Sequence, residues 1–192
     1  MLTHLRPAIV MLAFFMVLTG LAYPFAITGL AQAVLSDKAN GSLVTRGDAV
    51  VGTALIGQSF GSDAYFHGRP SAAGANGYDA AASSGSNFGP LSKKLQDRVA
   101  ADVSKLRGDG AALIPADAVT TSASGLDPHI SPEFAAIQIN RVAKARGVSP
   151  EQVKDIVMQA SEHPALGFIG EPRVNVLKLN LALDAALPKA TG

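Results

Sequence analysis

The sequence has 192 residues and a net charge of +1, so it lacks the basic surface expected of a nucleic-acid-binding protein. It contains no cysteine, which excludes disulfides, thiol catalysis and zinc–thiolate sites. Hydrophobic residues make up 48% of the chain and charged residues only 16%, against about 25% charged residues in ordinary domains.

The N-terminal segment 7–36 contains no Asp, Glu, Lys, Arg or His. It is long enough to cross a hydrocarbon core of roughly 30 Å as a helix, which rises about 1.5 Å per residue. Gly20 and Pro24 would weaken a soluble helix but are tolerated in a membrane helix, where Tyr23-Pro24 is expected to introduce a kink. Residues 1–36 are therefore predicted to be a short tail and a transmembrane anchor.

Two alternatives to a retained anchor fit parts of this segment. Arg6 and the small residues of Ala31-Gln32-Ala33 match a cleavable signal peptide, but its apolar region would span only about 7–15 residues. A buried core helix rarely needs so long an uncharged run. The anchor remains the favoured interpretation.

The charges on either side of the anchor predict its orientation. The N-terminal tail carries the α-amino group, His4 and Arg6, whereas the other flank opens with Asp37-Lys38. Because cytoplasmic flanks are enriched in positive charge, we expect the N-terminus inside and residues 37–192 outside the cytoplasm. Within the anchor, Gly20, Ala22 and Ala26 are candidates for close packing against partner helices.

Residues 37–192 are predicted to form a single α+β domain with long loops rich in Gly, Ala and Ser. The turn signal Asn40-Gly41 is followed by β-branched runs up to residue 56, which predict a small sheet near the membrane. Residues 57–90 show neither helical nor strand periodicity. A loop of this length in a compact domain is usually functional or disordered.

Four helices are predicted after this loop, together with a possible short helix at 116–120. Leu91, Leu95, Val99, Val103 and Leu106 form an apolar stripe over 91–107. Capping signals then predict a helix after Ser131 that ends at Gly147, and another after Ser149 with Gln152 completing a capping box. These two helices should form a hairpin. Asn175 is expected to cap a buried helix from Val176 to about Leu187.

The motif GQSFG at 57–61 matches the nucleophile elbow of serine hydrolases, with Ser59 as the nucleophile. The elbow requires a helix directly after the serine and a doubly wound sheet, for which this chain is short. His67, His129, Asp79 and Asp127 could in principle form a triad or a metal site, but they lack close ligand spacing. We therefore assign no catalytic residue and no metal ligand, and keep a membrane-anchored serine hydrolase as an alternative.

Long and specific strings occur in a fixed order along nearly the whole chain. They are TGLAYP at 19–24, LIGQ at 55–58, YFHGRPS at 65–71, YDAAASSGSN at 78–87, VTTSASGLDPHISP at 119–132, RVAKAR at 141–146 and GEPRVNVLKLNLALD at 170–184. Together they resemble the C subunit of the bacterial Kdp potassium-transporting ATPase. Thr121 departs from the alanine that is usual in the family.

The resemblance implies a non-catalytic subunit in the bacterial cytoplasmic membrane. It implies three partners: a channel-like potassium-binding subunit, an ATP-hydrolysing P-type subunit and a small single-span subunit. Family members are described as stabilising this assembly and as catalytic chaperones that raise the affinity of the pump subunit for ATP. The chain would then have no cofactor of its own, and K⁺ would be the ion transported by the complex.

The polar loops are the expected docking surface for these partners. Tyr and Arg are over-represented among interface hot spots. The candidate docking residues are Tyr65, Phe66, His67, Arg69, Tyr78, Asp127 and His129. An equally weighted alternative is that Arg69 satisfies buried carbonyls or pairs with Asp79 inside the domain. A second functional alternative is a stand-alone extracytoplasmic binding module.

Overall fold

The computed structural model describes residues 2–164 and 166–187. It has the predicted α+β composition and separates into two compact units, Met1–Val51 and Gly52–Gly192. The predicted boundary between anchor and domain at 36/37 stays a prediction. The predicted end of the domain at Gly192 lies outside the described residues.

The first unit is dominated by a continuous apolar helix, Thr3–Val34, of 32 residues, whose apolar stretch is not buried within the chain. This span lies within three consecutive elements: α1 (Leu2–Val17), a π-helical turn (Leu18–Ala22) and α2 (Tyr23–Val34). Its length and composition suffice to cross a bilayer. Its exposure shows that the alternative of a buried core helix is wrong.

The π-helical turn marks the place where the sequence predicts a kink. Pro24 lacks an N–H and its ring would collide with the carbonyl four residues earlier in a regular helix. In the structure, the preceding turn widens, and the N–H of Tyr23 donates to the carbonyl of Leu18. A π-bulge of this kind accommodates proline without ending the helix.

A short helix and a hairpin follow the apolar helix. They are α3 (Ser36–Ala39), β1 (Leu43–Arg46) and β2 (Ala49–Thr53), and the two strands form a two-stranded sheet. Gly41 lies in the predicted turn with a φ of 89°, a conformation that favours glycine. The predicted small sheet is confirmed, although residues 54–56 lie beyond its second strand.

The described part of the second unit contains four α-helices and a small antiparallel sheet, against which the last three of these helices pack. The helices are α4 (Lys93–Gly108), α5 (Pro132–Arg146), α6 (Pro150–Ala160) and α7 (Val176–Ala186). The strands β3 (His129–Ile130), β4 (Ser161–Glu162) and β5 (Arg173–Asn175) pair in the order β3-β5-β4. The core consists of apolar side chains from this sheet, the helices and the preceding loops; its largest fully buried members are Phe66, Leu179, Leu183, Val142, Val153 and Val174.

Local capping signals set the helix ends in this unit as the sequence predicts. The hydroxyl of Ser131 accepts from the N–H of Phe134, and α5 ends at Gly147 in the left-handed conformation. Ser149 and Gln152 form the predicted capping box, and the Asn175 side chain caps α7. The predicted hairpin of α5 and α6 is confirmed by their extensive mutual packing.

The N-terminal end of α4 differs from the prediction. The helix begins after Ser92, and Leu91 is 90% exposed, so this leucine does not belong to the apolar stripe. Val99, Val103 and Leu106 do pack against the core. Leu91 has the right spacing for the stripe, but spacing alone does not show where a helix begins, and this helix begins two residues later.

Candidate interaction site

Two polar segments, 57–87 and 120–129, lie side by side in the second unit and are here called the paired loops. Between Gly57 and Asn87 the described backbone has only one short helical turn, at Ala80–Ala82. Hydrogen bonds from α5, α7 and the second loop hold the first loop along most of its length. The lack of periodicity left a disordered loop possible, but these contacts give the loop a defined path.

Two buried amide side chains hold the first loop at consecutive residues. Asn180 in α7 accepts from the N–H of Phe66 at 2.8 Å and donates to its carbonyl at 3.0 Å. Gln138 in α5 does the same for His67, at 2.8 and 3.1 Å. Each amide therefore replaces the hydrogen bonds that a neighbouring strand would provide, which satisfies a buried irregular backbone.

A buried ion pair anchors the same segment. The Arg146 guanidinium pairs with Asp184 at 2.9 Å, and its Nε donates to the carbonyl of Ala64 at 2.7 Å. The guanidinium also lies 4.9 Å from the centre of the Tyr65 ring, and the Tyr65 hydroxyl donates to Asp184 at 3.2 Å. This arrangement ties α5, α7 and the loop together through one charged group whose desolvation is offset by several contacts.

Arg69 connects the two loops. Its Nη1 lies 3.0 Å from Oδ2 of Asp127, and its Nε donates to the carbonyl of Thr120 at 3.4 Å. Arg69 therefore pairs with an acidic residue and a backbone carbonyl of its own domain, as the alternative interpretation predicts. Its acidic partner is Asp127, however, and not Asp79. Asp79 instead caps the turn Ala80–Ala82 by accepting from the N–H of Ala81.

Tyr78 and Ser71 close the first loop against the second. The Tyr78 hydroxyl donates to the carbonyl of Arg69 at 2.6 Å, and the Tyr78 N–H donates to Oγ of Ser71 at 2.8 Å. The Ser71 hydroxyl in turn donates to the carbonyl of Gly125 at 2.6 Å. Gly125 has a φ of +66°, and a Cβ there would meet the carbonyl oxygen of Ser84 at 2.5 Å. Glycine is therefore required where the loops approach closely.

Further backbone contacts extend this pairing at both ends. The Ser84 N–H donates to the carbonyl of Ser124 at 2.9 Å, and the Gly57 N–H donates to that of Leu126 at 2.8 Å. A Cβ on Gly57 would lie 2.6 Å from the carbonyl oxygen of Asp127. These hydrogen bonds therefore hold the paired loops together as one surface.

The electrostatics of the paired loops follow from this packing. Burial raises the pKa of Tyr78 to about 12, with a further contribution from the Asp127 carboxylate. Burial alone would raise the pKa of Asp127, but hydrogen bonds from His129 and Arg69 outweigh it and lower that pKa. Burial and the nearby Arg141 charge lower the pKa of His67. At pH 7 Asp127 is therefore ionised and the neighbouring Tyr78 is neutral, and His67, elsewhere on the first loop, is also neutral.

One of the predicted docking residues is fully buried: the side chain of Phe66 belongs to the core. Tyr65, His67 and Tyr78 are partly buried by the contacts above. The side chains of Arg69, Asp127 and His129 are also partly buried and remain 23%, 29% and 24% exposed. These three form a polar rim on the paired loops, whose residues 79–83 are exposed and mostly small.

A cleft of about 940 Å³ lies between α4 and α5 beside the first loop. Phe134 and Leu106 line it, and its charged lining residues include Lys105, Lys144 and Asp109. Arg141, which also faces the cleft, already donates to the carbonyl of Asp63 at 2.7 Å. Opposite charges therefore share this cleft and offset one another.

The serine-hydrolase alternative is wrong for this fold. No helix follows Ser59, whose neighbours up to residue 70 form only turns and irregular backbone. The imidazole Nε2 of His67 contacts the carbonyl of Ser62, and Nδ1 of His129 faces Asp127 at 3.5 Å. In the described part of the chain, no group of three or more His, Asp or Glu side chains is placed to hold a metal ion.

Sequence reasoning missed the residues that hold the loops from the helix side. Gln138, Asn180 and Arg146 are buried, and each contacts the first loop. The signal that could have revealed Asn180 is a single amide within the leucine-rich run of α7, since an unpaired buried amide is costly. Arg146 carries no such signal, because a basic residue at a helix C-terminus is common on surfaces.

Comparison with known proteins places these features in a family context. A family model described as "K+-transporting ATPase, c chain" matches residues 5–185. A potassium-transporting ATPase KdpC subunit of Caulobacter vibrioides is 59% identical over 190 residues, covering 98% of this chain and 96% of that protein. KdpC subunits of Rhodopseudomonas palustris and Allorhizobium ampelinum are 56% and 58% identical, covering 98% and 97% of this chain and 100% and 98% of theirs.

Proposed function

The chain belongs to the KdpC family and is an accessory subunit of a potassium-transporting ATPase; within that complex, we propose that it stabilises the assembly without catalysing a reaction itself. The observation that carries this proposal is the extent of the match, which includes both the apolar helix and the domain up to residue 185. An accessory role needs both parts, one for anchoring and one for docking.

The proposed placement is single-pass in the bacterial cytoplasmic membrane, with the N-terminus inside and the folded domain outside. The exposed 32-residue apolar helix supports anchoring, and the positive charge of the N-terminal tail supports the orientation. With this topology, the domain cannot reach cytoplasmic ATP. Any effect of the chain on ATP affinity would therefore act through the ATP-hydrolysing subunit, and K⁺ would be bound by the potassium-binding subunit.

Two surfaces are proposed to hold the partners. The polar rim of Arg69, Asp127 and His129 is presented by loops that are already ordered, so docking would cost little further ordering of the backbone. Within the membrane, Gly20, Ala22 and Ala26 are exposed and would let a partner helix approach closely. The partners are the potassium-binding, ATP-hydrolysing and small single-span subunits.

Removal of the chain from cells that express the other subunits tests this function. We expect the remaining subunits to separate during purification and potassium-stimulated ATP hydrolysis to fall, and both to recover when the chain is supplied from a plasmid. A complex that stays intact and active without the chain would refute a stabilising role. It would favour the alternative of a stand-alone binding module.

A further inference from the structure

A short loop between β4 and β5 exposes three large apolar side chains. Leu166, Phe168 and Ile169 are 82%, 76% and 54% exposed, and they are here called the apolar tip. No charged residue occurs in the sequence between His163 and Glu171. Grouped exposed apolar residues of this kind mark contacts with proteins or membranes, whereas scattered single ones do not.

The backbone of this loop holds the tip in a tight turn. The N–H of Gly167 donates to the carbonyl of Pro164 at 3.0 Å, and Gly167 and Gly170 have φ values of +81° and +95°. Leu166 itself has a φ of +55°, which is uncommon for a residue with a side chain. Strained backbone of this kind tends to occur at functional sites, since the fold must maintain it against its cost.

The charged residues lie at the base of the loop and not at its apex. Glu162 pairs with Arg173 at 2.9 Å and with Lys178 at 3.5 Å, and Glu171 follows the tip in the sequence, so these charges would stay at the level of the headgroups and need not be desolvated. Polar and charged groups thus flank an uncharged, apolar apex. An apolar apex would match the acyl chains of a bilayer, and a polar, charged base would match its headgroups.

The chain itself indicates which apolar environment is within reach. The apolar helix ends at Val34 and the second unit begins at Gly52. Even fully extended, at about 3.3–3.6 Å per residue, the intervening segment keeps the start of that unit within roughly 60 Å of the helix end. Once the helix is in a bilayer, the lipid surface is therefore within reach of the tip. Because a bilayer is fluid, three protruding apolar side chains can enter it without a complementary binding pocket.

We propose that the apolar tip inserts into the outer surface of the bilayer and provides a second membrane contact for the domain. This inference goes beyond the accessory function and rests on it only through the anchored placement. The expected insertion is shallow, within about 5–10 Å of the headgroup boundary, as for other interfacial apolar segments. A second contact of this type would restrict the orientation of the paired loops relative to the membrane.

The absence of cysteine from the sequence allows a direct test by site-specific labelling. The full chain with Leu166→Cys, Phe168→Cys or Ile169→Cys is labelled with an environment-sensitive fluorophore. It is then reconstituted in phosphatidylethanolamine–phosphatidylglycerol vesicles that contain lipids brominated on their acyl chains. Leu113→Cys, at a residue 85% exposed in the same unit, is the matched control, and Leu12→Cys reports the anchor.

We expect blue-shifted emission and quenching at the tip and at residue 12, but neither effect at residue 113. Quenching at residue 12 without quenching at the tip would overturn the lipid contact and leave the anchor intact. Loss of quenching at residue 12 as well would overturn both. Equal quenching at residue 113 would overturn a specific tip. The same measurement in the purified complex should still show quenching at the tip, and protection there by the other subunits would assign it to a protein surface instead.

Discussion

The Arg69 guanidinium and the Asp127 carboxylate lie 3.0 Å apart, although 58 positions separate them in the sequence. Because both are less than one-third exposed and each makes further hydrogen bonds, truncating one leaves the other without its charge partner. We expect Arg69→Ala to lower the free energy of unfolding by about 1–3 kcal/mol. Chemical denaturation of the full chain in lipid nanodiscs, followed by circular dichroism, measures this.

The exposed pair Lys93–Asp97 provides the control for Arg69→Ala. It has a similar distance of 2.9 Å, but both side chains are mostly in solvent. Lys93→Ala should therefore change stability by no more than about 0.5 kcal/mol. If Arg69→Ala is equally mild but the complex still dissociates, Arg69 serves docking and not the fold.

The lowered pKa of Asp127 predicts a specific dependence of stability on pH. A carboxylate whose pKa is lower in the folded state than in the unfolded state contributes its full stability above the unfolded value of about 3.9. That contribution is lost as the pH falls through the lower, folded value. The difference in melting temperature between wild type and Asp127→Asn should thus stay the same from pH 7 to pH 5 and shrink below about pH 4. A difference that persists unchanged into strong acid would contradict this origin.

Because the loops approach closely at Gly125, we expect its substitution by alanine to lower the free energy of unfolding by more than the left-handed backbone angle alone would. Gly125 and Gly147 both have a φ of +66°, but only at Gly125 would a Cβ meet other atoms, at 2.5 Å from the Ser84 carbonyl oxygen and 2.8 Å from the Ala73 nitrogen. Gly147→Ala should cost about 1–2 kcal/mol for the left-handed backbone. Gly125→Ala should cost clearly more in the same denaturation experiment. Equal costs would show that the loops can separate without penalty.

These contacts indicate how far sequence reasoning extends for this chain. The helix ends at Ser131, Ser149 and Asn175 were predictable because a cap involves residues within one turn of each other. The pairing of Arg69 with Asp127 was not, since both loops lack periodicity and neither residue signals its partner. The same holds for the buried pair of Arg146 and Asp184, which join different helices.

Within the anchor, small residues predict where a partner helix packs. Gly20 and Gly29 both lie in the apolar helix, and a Cβ added at either position would meet open space, so neither glycine is required by the chain's own fold. Gly20→Leu should weaken co-purification of the partner subunits while membrane insertion is unchanged. Gly29→Leu is the matched control. Equal retention of partners by both variants would indicate that the helix acts only as a tether.

The topology can be measured with reporter fusions at the C-terminus. The charge of the N-terminal tail predicts active alkaline-phosphatase fusions and dark fluorescent-protein fusions. The opposite pattern would place the domain in the cytoplasm. It would also make direct contact with ATP possible.

Affinity purification of the tagged chain from bacterial membranes tests the central proposal most directly. The proposed function predicts that the potassium-binding, ATP-hydrolysing and small single-span subunits co-purify with it, as identified by mass spectrometry. The Arg69→Ala variant, purified in parallel and shown by circular dichroism to be folded, reports whether the paired loops contribute to that assembly. Recovery of the wild-type chain alone, under mild solubilisation that preserves other membrane complexes, would contradict the account.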